Sequence, residues 1–274
     1  MNDEVQRSIG LLAEAIRKQF ELRENPIWTA EIPELCPPVL WFGNHMKEEL
    51  IVTVGANPSR WEFLDRKTGD YLVPAKQRFY HFRRSDMQSV LEDEATMKQI
   101  IQSYDLYFHR NPYALWFGKR FGGKVEGFLN GLGASLYSQR GFGAVHTDLI
   151  PFVTMNDFSK LDGHRLQRDL FLNRWAQNFL NKLLNHLQPV AIMIFGRNNF
   201  DHYNKLVNRN IILDKNFTTG KNRAKYCVSY KRINGKNIPL IGLNINLGNP
   251  VGFSRQSLLK FGSTIKEEFN LGRA

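Results

Sequence analysis

The sequence predicts an α/β protein, specifically a three-layer α/β/α sandwich around a mostly parallel central sheet. Three stretches carry that prediction: LIVTVG (50–55), GAVHTDLIPF (143–152) and PVAIMIFG (189–196). Each is short, apolar almost throughout and rich in β-branched residues, the pattern of a strand buried on both faces. Long stretches with helical periodicity separate them, and alternating strands and helices build a parallel sheet covered on both sides. A chain of 274 residues, 42% of them hydrophobic, is enough for one sizeable core.

The elements follow in order. Residues 3–23 place Ile9, Leu12, Ala15, Ile16 and Phe20 on one helical face. Pro26, Pro33, Pro37 and Pro38 then mark a loop. The first strand closes at Gly55. Residues 60–86 read as irregular and basic, too long for a simple connector. Helices are predicted over 87–104, 112–133 and 163–187. SYKRINGKNIPLIGLNI (229–245) predicts a hairpin about Asn234-Gly235, or a strand pair with a polar loop. A last helix spans 254–270, with Ser254 as its cap. The expectation is a single domain over 1–274, with residues 1–45 forming an N-terminal helix and a Pro-rich extension packed on it.

Composition narrows the function. The formal charge of +11 points to a polyanionic partner, nucleic acid first. Lys76, Arg78, Arg83 and Arg84 form one basic cluster, Lys119, Arg120 and Lys124 a second, and Lys215, Lys221, Arg223 and Lys225 a third. Phe79, Tyr80, Phe82, Phe117 and Phe121 are interleaved with them, a mixture that suits phosphate contact and base stacking. Cys36 and Cys227 are too few for a four-thiolate metal site and read as ordinary thiols. No apolar run approaches the roughly 20 residues needed to span a bilayer. The acidic, amphipathic N-terminus does not read as a secretory signal. The expected setting is the cytoplasm, in association with the nucleoid.

In a doubly covered parallel sheet the working groups lie beyond the carboxyl ends of the strands. The loop after the first strand, Gly55-Ala56-Asn57-Pro58-Ser59, lacks the lysine of a P-loop and the glycines of a dinucleotide fingerprint. No HExxH, GxSxG or DxD motif occurs. Asn57 offers both donor and acceptor capacity, and Pro58 stiffens its turn. A second Asn-Pro loop, Leu247-Gly248-Asn249-Pro250-Val251-Gly252-Phe253-Ser254-Arg255, precedes the last helix.

Together GANPS and LGNPVGFSR resemble the two signature loops of the uracil-DNA glycosylase superfamily, most closely its mismatch-specific thymine/uracil branch. The second loop keeps Asn249, Pro250, Gly252, Ser254 and Arg255 in register, and the likeness spans roughly residues 48–270. The resemblance implies the family's sandwich fold and a monofunctional DNA glycosylase without metal or cofactor. It implies DNA, in double-stranded form, as the partner, with no membrane and no obligatory protein partner, and a monomer. Asn57 and Asn249 would be catalytic: the first positions the attacking water, the second bonds the departing base. Gly55, Ala56, Pro58 and Ser59 would contact that base. Pro250, Gly252, Phe253, Ser254 and Arg255 would meet DNA, with Phe253 filling the gap left by a flipped nucleotide. Tyr71 is the choice for the aromatic that stacks on the base, with Leu72, Phe63 and Phe79 as rivals.

Departures from the family pattern carry information. Relatives place an Asn that reads uracil at the second strand end, where this chain has His146, Thr147 and Asp148. An ionised Asp148 only accepts hydrogen bonds and suits an exocyclic amine, so the expected base is uracil-like by the resemblance, or a modified cytosine if Asp148 faces the pocket. Ser59 replaces a glycine and Val251 a hydroxyl residue. Glu62 reads as a surface residue, with a carboxylate near the water as the alternative. Asn57 and Asp148 have plainer readings as turn and cap residues, and His146 as a core histidine. A DNA-binding module without turnover is the rival function, and a nucleotide or RNA hydrolase the third.

Overall fold

The computed structural model describes residues 2–47, 49–83, 89–110, 112–118, 123–138, 142–161, 174–196, 199–201, 203, 213–219, 222–245 and 252–271. The helices are α1 (Asn2–Arg23), α2 (Pro26–Glu31), α3 (Glu94–Asp105), α4 (Ala114–Phe117), α5 (Lys124–Leu132), α6 (Trp175–Leu187) and α7 (Arg255–Phe269). The strands are β1 (Glu49–Gly55), β2 (Phe142–Asp148), β3 (Ala191–Phe195), β4 (Leu213–Thr219), β5 (Asn222–Ile233) and β6 (Lys236–Leu243). The protein is α/β, with one six-stranded mixed sheet in the order β2-β1-β3-β6-β5-β4. The chain divides into two compact units: Met1–Phe42 with Ala56–Asn111 and Asp148–His186, and Gly43–Gly55 with Pro112–Thr147 and Leu187–Ala274.

The second of these units holds the sheet. β1 and β3 run parallel, as do β3 and β6, which matches their apolar character. The far edge makes the sheet mixed, because β5 pairs antiparallel with both β6 and β4. Asn234 and Gly235 connect β5 to β6, each at positive φ (48° and 82°), the conformation a two-residue type I′ turn requires. β4 was not anticipated, because its polar LDKNFTT has no run of apolar residues. Helix α7 covers this edge, with Phe261 stacked on Phe217 and tilted against Tyr226. Helix α5 packs closely on α7: a methyl at Gly131 would overlap the carbonyl of Leu259, and one at Gly262 that of Phe128. His146 is a core histidine. Thr53 Oγ1 donates to the Val145 carbonyl at 3.1 Å, so the 2.9 Å contact to His146 Nδ1 makes that nitrogen the donor.

The other unit carries the N-terminal helices and the loops that follow β1 and β2. Leu12, Ala15 and Ile16 of α1 are fully buried. Phe79 stacks between Phe63 and Tyr107, and Phe42 meets Phe79 and Tyr107 edge-on. Cys36 lies buried, its thiol pushed well up by desolvation.

Two helix expectations and one strand boundary are corrected. The 87–104 helix begins only at Glu94, because Asp93 caps it by accepting from Ala95 N–H at 3.0 Å. The 112–133 helix is two short ones, since Gly118 and Gly123 sit at φ 81° and 85°, outside helical space. Strand β2 ends at Asp148, earlier than Pro151. The 163–187 helix is seen from Trp175, and its earlier part lies outside the described residues. No helix among the described residues is long and apolar enough to cross a membrane.

Candidate functional site

The chain leaves β1 at Gly55 and turns through Ala56–Ser59. This loop lies against the segment that follows β2. Ile150 N–H donates to the Ala56 carbonyl at 3.2 Å, and Ser59 forms a parallel bridge with Thr154. Pro58 is buried, Ala56 and Asn57 are half-buried, and Ser59 is exposed. Ser59 caps a short 3₁₀ turn, Arg60–Glu62.

The orientation of the Asn57 amide follows from its partners. Nδ2 donates to the carbonyls of Phe152 and Pro58, both at 3.3 Å, and to Thr154 Oγ1 at 2.9 Å. Carbonyls only accept, so the NH₂ end must face them. The Thr154 hydroxyl spends its own proton on the Asn156 carbonyl at 2.6 Å and is therefore an acceptor for Asn57. Among the described residues nothing donates to Asn57 Oδ1. A side chain anchored by its donors is left with an unused acceptor beside a strand end. Sequence reading missed Thr154, since nothing local marks a partner about a hundred residues away.

Glu62 corrects the sequence reading. It is 2% exposed, not a surface residue. Tyr107 Oη donates to its Oε2 at 2.8 Å, and Arg78 Nε lies 3.8 Å from the same oxygen. Burial pushes the Glu62 carboxyl up to about 8; Asp148 adds to the rise, while Tyr107 and Arg78 oppose it. Asp148 is itself 5% exposed at the end of β2. Thr147 is buried within β2.

Of the four candidate stacking residues, Phe63, Leu72 and Phe79 are buried, and Tyr71 alone is half-buried. Tyr71 Oη accepts from Leu35 N–H at 3.3 Å, and its ring edge meets His81. Burial lowers His81 to about 4, and its Nε2 is enclosed without a hydrogen-bond partner.

Asn249 and Pro250 lie outside the described residues. Gly252 and Ser254 are exposed, with Ser254 capping α7 through Ser257 N–H at 3.1 Å as expected. Phe253 is 5% exposed, so its ring is packed inward, not presented as a wedge. Arg255 is half-buried: Nη2 donates to Asn130 Oδ1 at 3.0 Å, and its stem lies over Gly127. The basic clusters are only partly outward. Lys76, Arg83, Lys124, Arg223 and Lys225 are exposed, Arg78 turns toward Glu62, and Lys215 pairs with Glu268. Arg84, Lys119, Arg120, Phe121 and Lys221 lie outside the described residues. Phe79, Phe82 and Phe117 are core residues, which removes them as stacking platforms.

Among the described residues no group of three or more His, Cys, Asp or Glu side chains is placed to hold a metal ion. No protein-family model matches this sequence, and no curated protein matches it significantly.

Proposed function

We propose that this chain is a DNA glycosylase of the uracil-DNA glycosylase type, folded as that family's three-layer sandwich. It would take a flipped nucleotide from duplex DNA and hydrolyse the N-glycosidic bond, leaving an abasic site. The observation that carries the reading is Asn57: a fixed amide whose Oδ1 remains an unused acceptor just beyond a buried parallel strand. Such an oxygen can accept a proton of a water molecule and hold that water's lone pair toward the sugar carbon. In a dissociative path the sugar gains positive character, the base leaves as an anion, and water adds last. The family resemblance gives the departing base to Asn249. Charge development on that base is where a positioned amide contributes most. Asp148, buried at the end of the second strand, can only accept hydrogen bonds when ionised, and so favours a base with an exocyclic amine.

The test is mass spectrometry of bases freed from duplexes carrying normal, damaged and modified pyrimidines. The expected result is release of a cytosine-like or modified base, reduced about 10²- to 10³-fold in Asn57→Ala, in line with loss of one preorganised polar group. DNA affinity should persist in that variant. Binding without turnover on any substrate would identify a DNA-binding module instead. Robust release of uracil alone, equal in Asp148→Asn, would remove the assigned base preference.

A further inference from the structure

The third basic cluster of the sequence has no part in the reaction just described, and the fold gives it a surface of its own. Strands β4 and β5 run on beyond the end of β6. The last pair between β5 and β6 is Tyr226 with Leu243, whereas β5 stays paired to β4 as far as Asn222 with Thr219. Residues 216–219 and 222–225 therefore form a two-stranded ribbon, about 13 Å long, that overhangs β6. Because β1, β3 and β6 are parallel, the overhang lies at their carboxyl end, the end at which β1 finishes at Gly55.

Alternation along the strands gives the ribbon two unlike faces. Ala224, Tyr226 and Phe217 are buried, the two rings against Phe261 of α7. Lys215 and the Tyr226 hydroxyl both bond Glu268, so α7 holds this face and neutralises Lys215. On the opposite face Asn216 and Thr218 stand directly across from Lys225 and Arg223, and all four are exposed. Asn244 joins them, also exposed: its Oδ1 accepts from Lys225 N–H at 2.7 Å, which leaves its NH₂ group for another acceptor. Neither Arg223 nor Lys225 has an acidic partner among the described residues. Farther along the same face Cys227 and Ser229 are buried and Lys231 lies over the Tyr203 ring, so the face is covered there and bare at the overhang. Asp214 pairs with Cys227, outside the overhang. Charges that only guard a sheet against edge pairing belong on the edge strand, which is β4; here they sit on β5.

We propose that the overhanging face of β4 and β5 is a DNA-binding surface, on which Arg223 and Lys225 seat backbone phosphates of duplex DNA while Asn216, Thr218 and Asn244 donate to phosphate or sugar oxygens. This rests on the reading that duplex DNA is the partner, and not on the chemistry of Asn57. Two cations with no acid beside them repel each other until an anion is shared between them, and a phosphate backbone supplies it. Thr and Asn side chains add neutral bonds to the same oxygens. A two-stranded ribbon is also narrow enough to lie along a groove of the duplex. The surface positions the duplex and reads no base.

The test is titration of the full chain with an undamaged DNA duplex of mixed sequence from about 50 to 200 mM salt, alongside base release. Arg223→Gln and Lys225→Gln should each lower the slope of log K against log salt by about 0.9, and the double variant by about twice that. The wild-type advantage over the double variant then shrinks about tenfold across the range. The control is Arg232→Gln with Lys236→Gln, which removes the same charge from exposed positions at the other end of the β5–β6 pair. It should leave the slope nearly unchanged. All these side chains are exposed, so the urea midpoint of every variant should stay that of the wild type. In base release the Arg223 and Lys225 variants should raise KM and keep kcat.

Equal slopes in wild type and the Arg223/Lys225 double variant, or the same loss from both double variants, would overturn the surface. So would a loss of slope seen with an RNA duplex and not with DNA. A chain with no affinity for duplex DNA overturns this inference and the glycosylase reading together. If bases are released while the slopes stay equal, this inference fails and the glycosylase reading stands. Should the slopes fall as stated with no base ever released, the DNA surface stands and the glycosylase reading falls.

Discussion

The loop after β1 and the segment before α7 use the same backbone device and put it to different ends. Each has a serine that closes a helical turn: Ser59 Oγ accepts from Trp61 N–H at 3.3 Å, and Ser254 Oγ from Ser257 N–H at 3.1 Å. Beside the first cap, Asn57 stays half-buried with its carbonyl oxygen unused. Beside the second, Phe253 and Arg255 are spent on the protein itself, one in the core and the other against α5. The motif sets a turn. What lies beneath the turn decides which side chains remain for a ligand.

The largest effect expected from this contrast concerns Glu62, the side chain the first loop buries. Its folded-state carboxyl is raised from 4.5 to about 8, so the native protein keeps a proton that the unfolded chain has lost. Stability from this group is therefore fully present below pH 4.5 and is lost as pH rises through about 8. The slope is roughly 1.4 kcal/mol per pH unit across that window. Denaturant unfolding of wild type and Glu62→Gln, compared from pH 5 to 8, isolates it from the other titrating groups. The variant should gain on the wild type steadily with rising pH. Parallel curves would mean that Glu62 is charged and solvated, and the first loop would then bury nothing of consequence.

Much of the architecture was legible because its signals are local. The Asn234-Gly235 turn, the Ser254 cap and the apolar β1 and β3 are each written within a few adjacent residues. The site was legible only in part. Asn57 stands out because Asn-Pro after a strand is a local pattern, but its anchor, Thr154, is distant in sequence. Glu62 could not be read as buried, because its charge argues for the surface and Tyr107 and Arg78 come from elsewhere in the chain. Phe253 was misjudged for the opposite reason: an apolar residue suits both a wedge and a core, and only packing separates the two.

Phe253 therefore offers the next sharpest test. As a core residue it should cost about 3–5 kcal/mol when cut to alanine, the range for buried aromatic truncation. Urea unfolding measures this without DNA. A residue that served only as a wedge would lose less than about 0.5 kcal/mol and reveal itself in base release alone. That result would make the two strand-end segments alike after all, both offering side chains to a ligand.

Arg255 gives the smallest effect and separates two kinds of contact. Its guanidinium bonds Asn130 Oδ1, its Nε is enclosed without a partner, and its methylenes fill the space a glycine leaves at Gly127. Most of what it contributes is then packing, with one hydrogen bond of about 1 kcal/mol. Arg255→Ala should destabilise by about 1–2 kcal/mol, and Arg255→Met, which keeps the stem, by less than about 1.5 kcal/mol. Neither should change the salt dependence of DNA binding. An arginine seated on a phosphate behaves otherwise: its loss lowers the slope of log K against log salt by about 1 while leaving the fold untouched. Measuring both quantities on the same two variants decides between the readings, because a side chain that serves α5 moves stability and one that serves a phosphate moves the salt slope.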